Sequence, residues 1–155
     1  MRDLNEGAWP QRVAYMPHVG PYNGAYRLWV DFTTSLKKLG LPRKDVLFIG
    51  VPLDNPKITP PEKLRYDACA TVDEKYVPTR PMRVRTLAGG DYVVARNCPI
   101  GAIAKGYEKL FHSWLPASGR KALKAPSLLV AVNGPEGMPP TFGFTDIYVP
   151  LETSK

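Results

Sequence analysis

The sequence predicts an α+β fold in which one strand-helix-strand-strand module is written twice, giving an antiparallel sheet with pseudo-twofold symmetry. Three observations predict it. A single ungapped offset of 79 residues pairs Ala25 with Ala104, Phe32 with Phe111, Leu36 with Leu115, Gly40 with Gly119, Val51 with Val130, Pro56 with Pro135 and Asp67 with Asp146. The paired positions are mostly glycines, prolines and helix-face apolar residues, the types that fix backbone and core. Finally, PSLLVAVN (126–133) and LFIGVPLD (47–54) stand at that same offset. Each is an apolar run closed by a polar turn, which reads as a buried strand.

Taken in order, QRVAYMP (11–17) reads as a short strand, and His18-Val19-Gly20-Pro21-Tyr22 as a turn by its glycine and proline. From Gly24 to Leu39 the apolar positions Ala25, Leu28, Phe32, Leu36 and Leu39 recur at three and four, which is one helical face, and Gly40 is placed to end the helix. LFIGV is the second strand, DNPKITPP (54–61) a proline-rich loop and LRYDACATV (64–72) the third strand. The first repeat is thus about 11–72, a linker runs 73–81, and the second repeat is about 82–151, all within one domain of residues 1–155. In the second repeat a strand precedes the tight turn at Gly89-Gly90 and another follows from Tyr92 to Arg96. A helix from about Ala102 to Leu115 should turn Ala104, Tyr107, Phe111 and Leu115 inward, with Pro116 to Gly119 ending it. SLLVAV, the loop GPEGMPP (134–140) and FTDIYVPL complete the set. Each half is too small to bury its sheet alone, so the two should pack as one body.

Composition bounds the function. With 155 residues, 44% hydrophobic and 23% charged, the chain is an ordinary globular domain. Cys69 and Cys98 have no metal-ligand spacing, and His18 and His112 are far apart, so neither a metal nor another cofactor is expected and a reduced cytoplasmic compartment fits. No apolar leader or membrane-length apolar run is present. The net charge of +7 invites a nucleic-acid reading, but many of the cations stand behind helices, Lys37, Lys38, Arg43 and Lys44 after the first and Arg120, Lys121 and Lys124 after the second. There they complement the negative end of the helix dipole, so sequence-specific nucleic-acid binding is not expected. Arg83 and Arg85, on one face of a strand, are the better candidates for a basic surface.

HVGPY (18–22), DNPxxTPPEKLRYDA (54–68), GGDYVV (89–94), HSWLPASG (112–119), PSLLVAVN and TDIYVPL (145–151) together resemble the GyrI-like small-molecule-binding family. That family includes a bacterial gyrase-inhibitory protein and the effector-binding domains of multidrug-responsive transcription regulators. The resemblance covers nearly the whole chain and implies the same duplicated module, with a ligand groove between its halves. With no helix-turn-helix ahead of residue 11, it implies a stand-alone member. The family usually carries a glutamate, and two residues later a tyrosine, on the strand matching 127–132; here Leu129 and Ala131 stand in their places. A buried carboxylate favours a cationic partner, whereas an apolar pair does not. The expected ligand is therefore neutral or anionic, flat and hydrophobic.

Strand alternation sets Leu129 and Ala131 on one face with their repeat mates Gly50 and Pro52. Tyr148 resembles a pocket tyrosine of the family, and its mate is Cys69. Tyr22, Tyr26, Trp29, Phe111 and Trp114 supply aromatics near the groove. Phe111 lies on the predicted core stripe, while Tyr26 and Trp29 lie off it and read as pocket or partner residues.

Three function classes stay open. The first is a module that sequesters or senses a small hydrophobic ligand. The second is a hydrolase of a reactive, cyclopropane-bearing toxin, implied by some family members, for which Glu108 is the weak catalytic candidate and Asp67 and Asp146 are alternatives read as structural. The third is a protein-interaction role with a transcription regulator or gyrase as partner, using the basic patches and an exposed Trp29.

Overall fold

The computed structural model describes residues 3–6, 11–40, 46–132 and 144–152; for residues 3–6, 23, 97, 100 and 132 it describes the backbone alone. Arg43, Lys44 and the loop 134–140 lie outside the described residues. Among the described residues eight strands form one sheet: β1 (Asp3–Glu6), β2 (Gln11–Val19), β3 (Phe48–Pro52), β4 (Arg65–Thr71), β5 (Arg83–Leu87), β6 (Asp91–Pro99), β7 (Leu128–Val132) and β8 (Phe144–Pro150). Their spatial order is β1-β6-β8-β7-β3-β4-β2-β5, every neighbouring pair antiparallel. Register carries the 79-residue spacing directly: Val13 faces Thr71 in one half and Tyr92 faces Pro150 in the other. At the centre Gly50 lies opposite Leu129. These residues are 79 apart, so each faces its own counterpart and the pair marks the pseudo-twofold axis.

β1 is absent from the sequence reading, and the partnership of β5 is not local. Rather than forming a hairpin with β6, β5 pairs with β2 of the other half, and β1 pairs with β6. Each half is thus completed by a strand that precedes the other half's β2 or β6 in sequence.

Helix α1 (Ala25–Lys38) buries Ala25, Leu28, Trp29, Phe32, Thr33 and Leu36, a stripe wide enough to include adjacent positions 28–29 and 32–33. The second helix follows the same plan with a shifted phase. It runs through α2 (Ile103–Glu108), a π-helical turn (Lys109–Trp114) and α3 (Leu115–Ser118), and its buried positions are Gly106, Leu110 and Leu115. Both helices enter from a 3-10 turn capped by proline, Pro21 (ψ 141) and Pro99 (ψ 141), which are 78 rather than 79 apart. Gly106 therefore stands where Leu28 stands, and Leu110 where Phe32 stands. The π-helical turn holds one residue more than an α turn, and Leu115 regains the position of Leu36. Pro116 supplies the cause: it has no N–H for the carbonyl four residues back and its ring crowds that carbonyl, so the ladder opens just before it. Both helices end as the sequence predicts, at Gly40 (φ 77) and Gly119 (φ 73) in the left-handed region.

α1 lies over β2 and β4, and α2 over β6 and β8, on one side of the sheet. Gly106 lets α2 approach closely, since a Cβ there would come within 2.7 Å of Ile147 Cδ1 and 2.9 Å of Cys98 Sγ. Among the described residues no α-helix packs on the other side, yet Val13, Leu87, Tyr92, Val94, Cys69 and Tyr148 form one buried cluster there. Strands from both ends of the sheet meet in it, so the sheet curls and packs this face against itself.

Candidate functional site

Between the two helices, the floor is the helix side of β3 and β7. Alternation and register place Gly50 with Leu129 at its centre, Pro52 opposite Tyr66 and Ala131 opposite Thr145, all on that side. Leu129, Ala131 and Pro52 are partly buried.

The half under α1 is filled by aromatics. Trp29 is fully buried, meeting Phe32, Phe48 and Tyr66 edge-on with centroids 5.6, 6.1 and 6.5 Å away. Its Nε1–H donates to Tyr66 Oη at 2.9 Å. That hydroxyl stands over Gly50, where an added Cβ would run into it. Burial pushes the Tyr66 phenol far above its ordinary range, so it remains protonated. Tyr22 packs a tilted ring 5.9 Å from Tyr66. Its hydroxyl accepts from Asp54 N–H at 3.0 Å and lies 2.8 and 2.9 Å from the carbonyls of Asp54 and Arg65. Asp54 in turn holds Arg65 through Nε and Nη2 at 2.9 and 2.8 Å. The turn before α1 is thereby tied to the β3–β4 connection.

The half under α2 solves the same problem with other residues. Tyr107 takes the place of Trp29, and its hydroxyl meets Ser127 Oγ at 2.5 Å. Burial is the main cause raising the Tyr107 phenol above its ordinary value. Leu129 stands for Gly50 and Thr145 for Tyr66, with Thr145 Oγ1 donating to Val130 O at 3.0 Å. Tyr107 stacks on Phe111 at 6.4 Å and 28°.

The structure brings Leu129, Ala131, Pro52, Tyr22 and Trp29 around this groove and removes others from it. Trp29 corrects the expectation of an outer-face aromatic, because α1 buries a wider stripe than its three-and-four spacing shows. Phe111 corrects the opposite expectation: the shifted phase of α2 turns it outward, and it is 40% exposed. Cys69 and Tyr148 lie in the buried cluster on the side of the sheet away from α1 and α2, since Tyr148 pairs with Leu128 and not with Leu129. Burial pushes the Cys69 thiol up to about 12. Trp114 packs partly buried against the α2 side of the core, Tyr26 is half exposed and Glu108 is exposed. Asp67 and Asp146, buried, pair with Arg85 at 2.7 Å and Arg96 at 3.3 Å. Arg85 also covers the Tyr15 ring at 5.0 Å, so it is a held side chain and not part of a basic surface. Arg120 likewise reaches Asp91 at 2.8 Å instead of only complementing a helix end. Among the described residues no helix is long and apolar enough to cross a membrane.

Tyr66, Tyr107 and Phe48 were missed as groove residues. Parity could have found Tyr66: in a strand paired with LFIGV it shares a side with Ala68 and Ala70, the side that small residues leave free for a helix.

A family model described as the GyrI-like small molecule binding domain matches residues 9–152. The chain is 39% identical over 144 residues to the "Probable transcriptional regulator YgiV" of Escherichia coli (strain K12), covering 90% of this chain and 89% of that protein. Among solved structures it resembles EcmrR in a complex with DNA, with a TM-score of 0.78 at 14% identity. There 99% of this chain is covered, and the chain spans 58% of the EcmrR chain's length. It also resembles SAV2435, solved bound to tetraphenylphosphonium, with a TM-score of 0.61 at 16% identity, covering 98% of this chain and 94% of that one. At these identities the structural likeness is one of fold.

Proposed function

The chain belongs to the GyrI-like small molecule binding domain family, and from that premise we propose that it sequesters or senses a flat, hydrophobic aromatic compound, neutral or anionic, in the groove between α1 and α2. One observation carries the charge preference: at the axis of the floor the pair is Leu129 and Gly50, and no charged residue stands among Phe48, Gly50, Pro52, Leu129 and Ala131. A lipophilic cation would shed hydration there and gain no carboxylate. Both buried aspartates point to the other side and are held by arginines. The same reading takes residues 1–155 as one domain of two repeats, about 11–72 and 82–151, joined by 73–81.

The hydrolase reading draws less support, since Asp67 and Asp146 are held by arginines on the other side of the sheet and Glu108 is exposed. An interaction surface centred on Trp29 is excluded by its burial. The test is a fluorescence titration of the protein with N-methylacridinium and with neutral 9-methylanthracene, flat tricycles of one outline that differ in charge. The neutral compound should bind more tightly; a preference for the cation would defeat the proposal.

A further inference from the structure

Among the described residues Tyr22, Tyr66, Tyr107, Ser127 and Thr145 bring hydroxyls about the groove. Thr145 gives its proton to Val130 O, Tyr22 lies within bonding distance of the Asp54 and Arg65 carbonyls, and Tyr107 and Ser127 bond each other, one proton serving the pair. Tyr66 differs. Its oxygen accepts from Trp29 Nε1 at 2.9 Å, which fixes its position, and among the described residues no acceptor takes its own proton. It lies over Gly50 at the axis, whose missing Cβ leaves it room. A buried O–H without an acceptor costs free energy that an acceptor on a ligand would recover. Site polar groups of this kind reject analogues that leave them unpaired.

We infer that Tyr66 is the specificity-determining donor of the groove, and that it selects aromatic compounds carrying an oxygen acceptor, a ring carbonyl or a phenolate. The inference rests on the groove being the ligand site. It goes beyond a preference against cations, because it requires one acceptor atom held above Gly50. Burial keeps the phenol protonated, so the donor persists across the neutral pH range. At the matched positions the other half presents the methyl groups of Leu129 and the Thr145 hydroxyl, whose proton Val130 O takes.

The experiment compares 9-fluorenone with fluorene, tricycles of the same outline that differ by a carbonyl. Binding is measured by titration, and the carbonyl stretch of bound fluorenone by infrared difference spectroscopy, on wild type and Tyr66→Phe. Wild type should bind fluorenone about five-fold more tightly than fluorene, the worth of one net hydrogen bond, with the stretch moved to lower wavenumber. Tyr66→Phe should bind fluorene as before and lose both the preference and the shift. An unshifted stretch in wild type overturns the inference even should the variant fold poorly, as does a preference that survives in Tyr66→Phe. Equal binding of both tricycles by wild type overturns the inference and leaves the groove proposal standing. Binding of neither overturns both.

Discussion

Phe32 and Phe111 are the same residue 79 positions apart, yet Phe32 is fully buried against Trp29 and Phe111 is 40% exposed on top of Tyr107. The strands beneath them share one register as far as Ala95, where β6 carries a bulge that β2 lacks, and the difference grows from there into the helices. α1 follows one phase throughout, whereas α2 enters one residue early from Pro99 and recovers through the π-helical turn ahead of Pro116. A duplicated sequence therefore keeps its overall spacing while one copy slips and recovers inside it. The floor shows the same divergence, since Gly50 with Tyr66 fills one side and Leu129 with Thr145 the other. Divergence at matched positions is what gives a symmetric groove two unlike walls.

The largest effect should separate the two phenylalanines. Phe32→Ala removes a ring from a closed core and should cost about 3–5 kcal/mol in urea unfolding. Phe111→Ala should cost about 0.5 kcal/mol, as surface changes do. Equal losses would mean that α2 sits in the phase of α1. Next comes Gly50→Ala, which would push a methyl into the Tyr66 hydroxyl and should cost about 1–3 kcal/mol by overpacking. Combining it with Tyr66→Thr, the residue of the other half, should cost less than the two changes separately; additive losses would show that the two sites do not touch.

The smallest effect is in acid. Burial is the largest influence on Asp67 and raises its carboxyl above the ordinary 3.8, with Arg85 opposing. A folded-state value above the unfolded one means that the native protein binds this proton more tightly. Its contribution is therefore full below 3.8 and is lost as pH rises through the raised value. Asp54, held low chiefly by its bond to Arg65, works the other way and loses its contribution as pH falls below 3.8. Asp67→Asn should thus make the stability of the protein rise more steeply with pH just above 3.8 than in wild type. An unchanged slope in urea midpoints across that range would contradict the assignment.

Much of this was legible in the sequence. The sequence located every described strand but β1, the helix-ending glycines Gly40 and Gly119, and Gly50 and Leu129 as repeat mates, though not that they lie opposite one another, because turns and buried runs carry local signatures. The slip in α2 was not legible. A bulge between Ala95 and Cys98, an entry turn that is short by comparison, and the π-helical turn cancel to no net change in spacing. An ungapped comparison is blind to insertions that cancel. The exchange of β1 and β5 was hidden for another reason, since partner choice between strands is a nonlocal matter of burial. Cys69 and Tyr148 were misplaced because the likeness that suggested Tyr148 says nothing about strand parity, which register alone decides.

The central claim is that Leu129 at the axis sets the charge preference of the groove. The direct measurement compares wild type with Leu129→Glu by thermal shift and titration, using N-methylacridinium and 9-methylanthracene. Without ligand the variant should melt lower, as an ionised carboxylate placed in an apolar floor is unpaired. With the cation it should bind more tightly than wild type and its melting temperature should rise by linkage, reversing the wild-type order of the two compounds. Wild type binding the cation as tightly as Leu129→Glu would contradict the account.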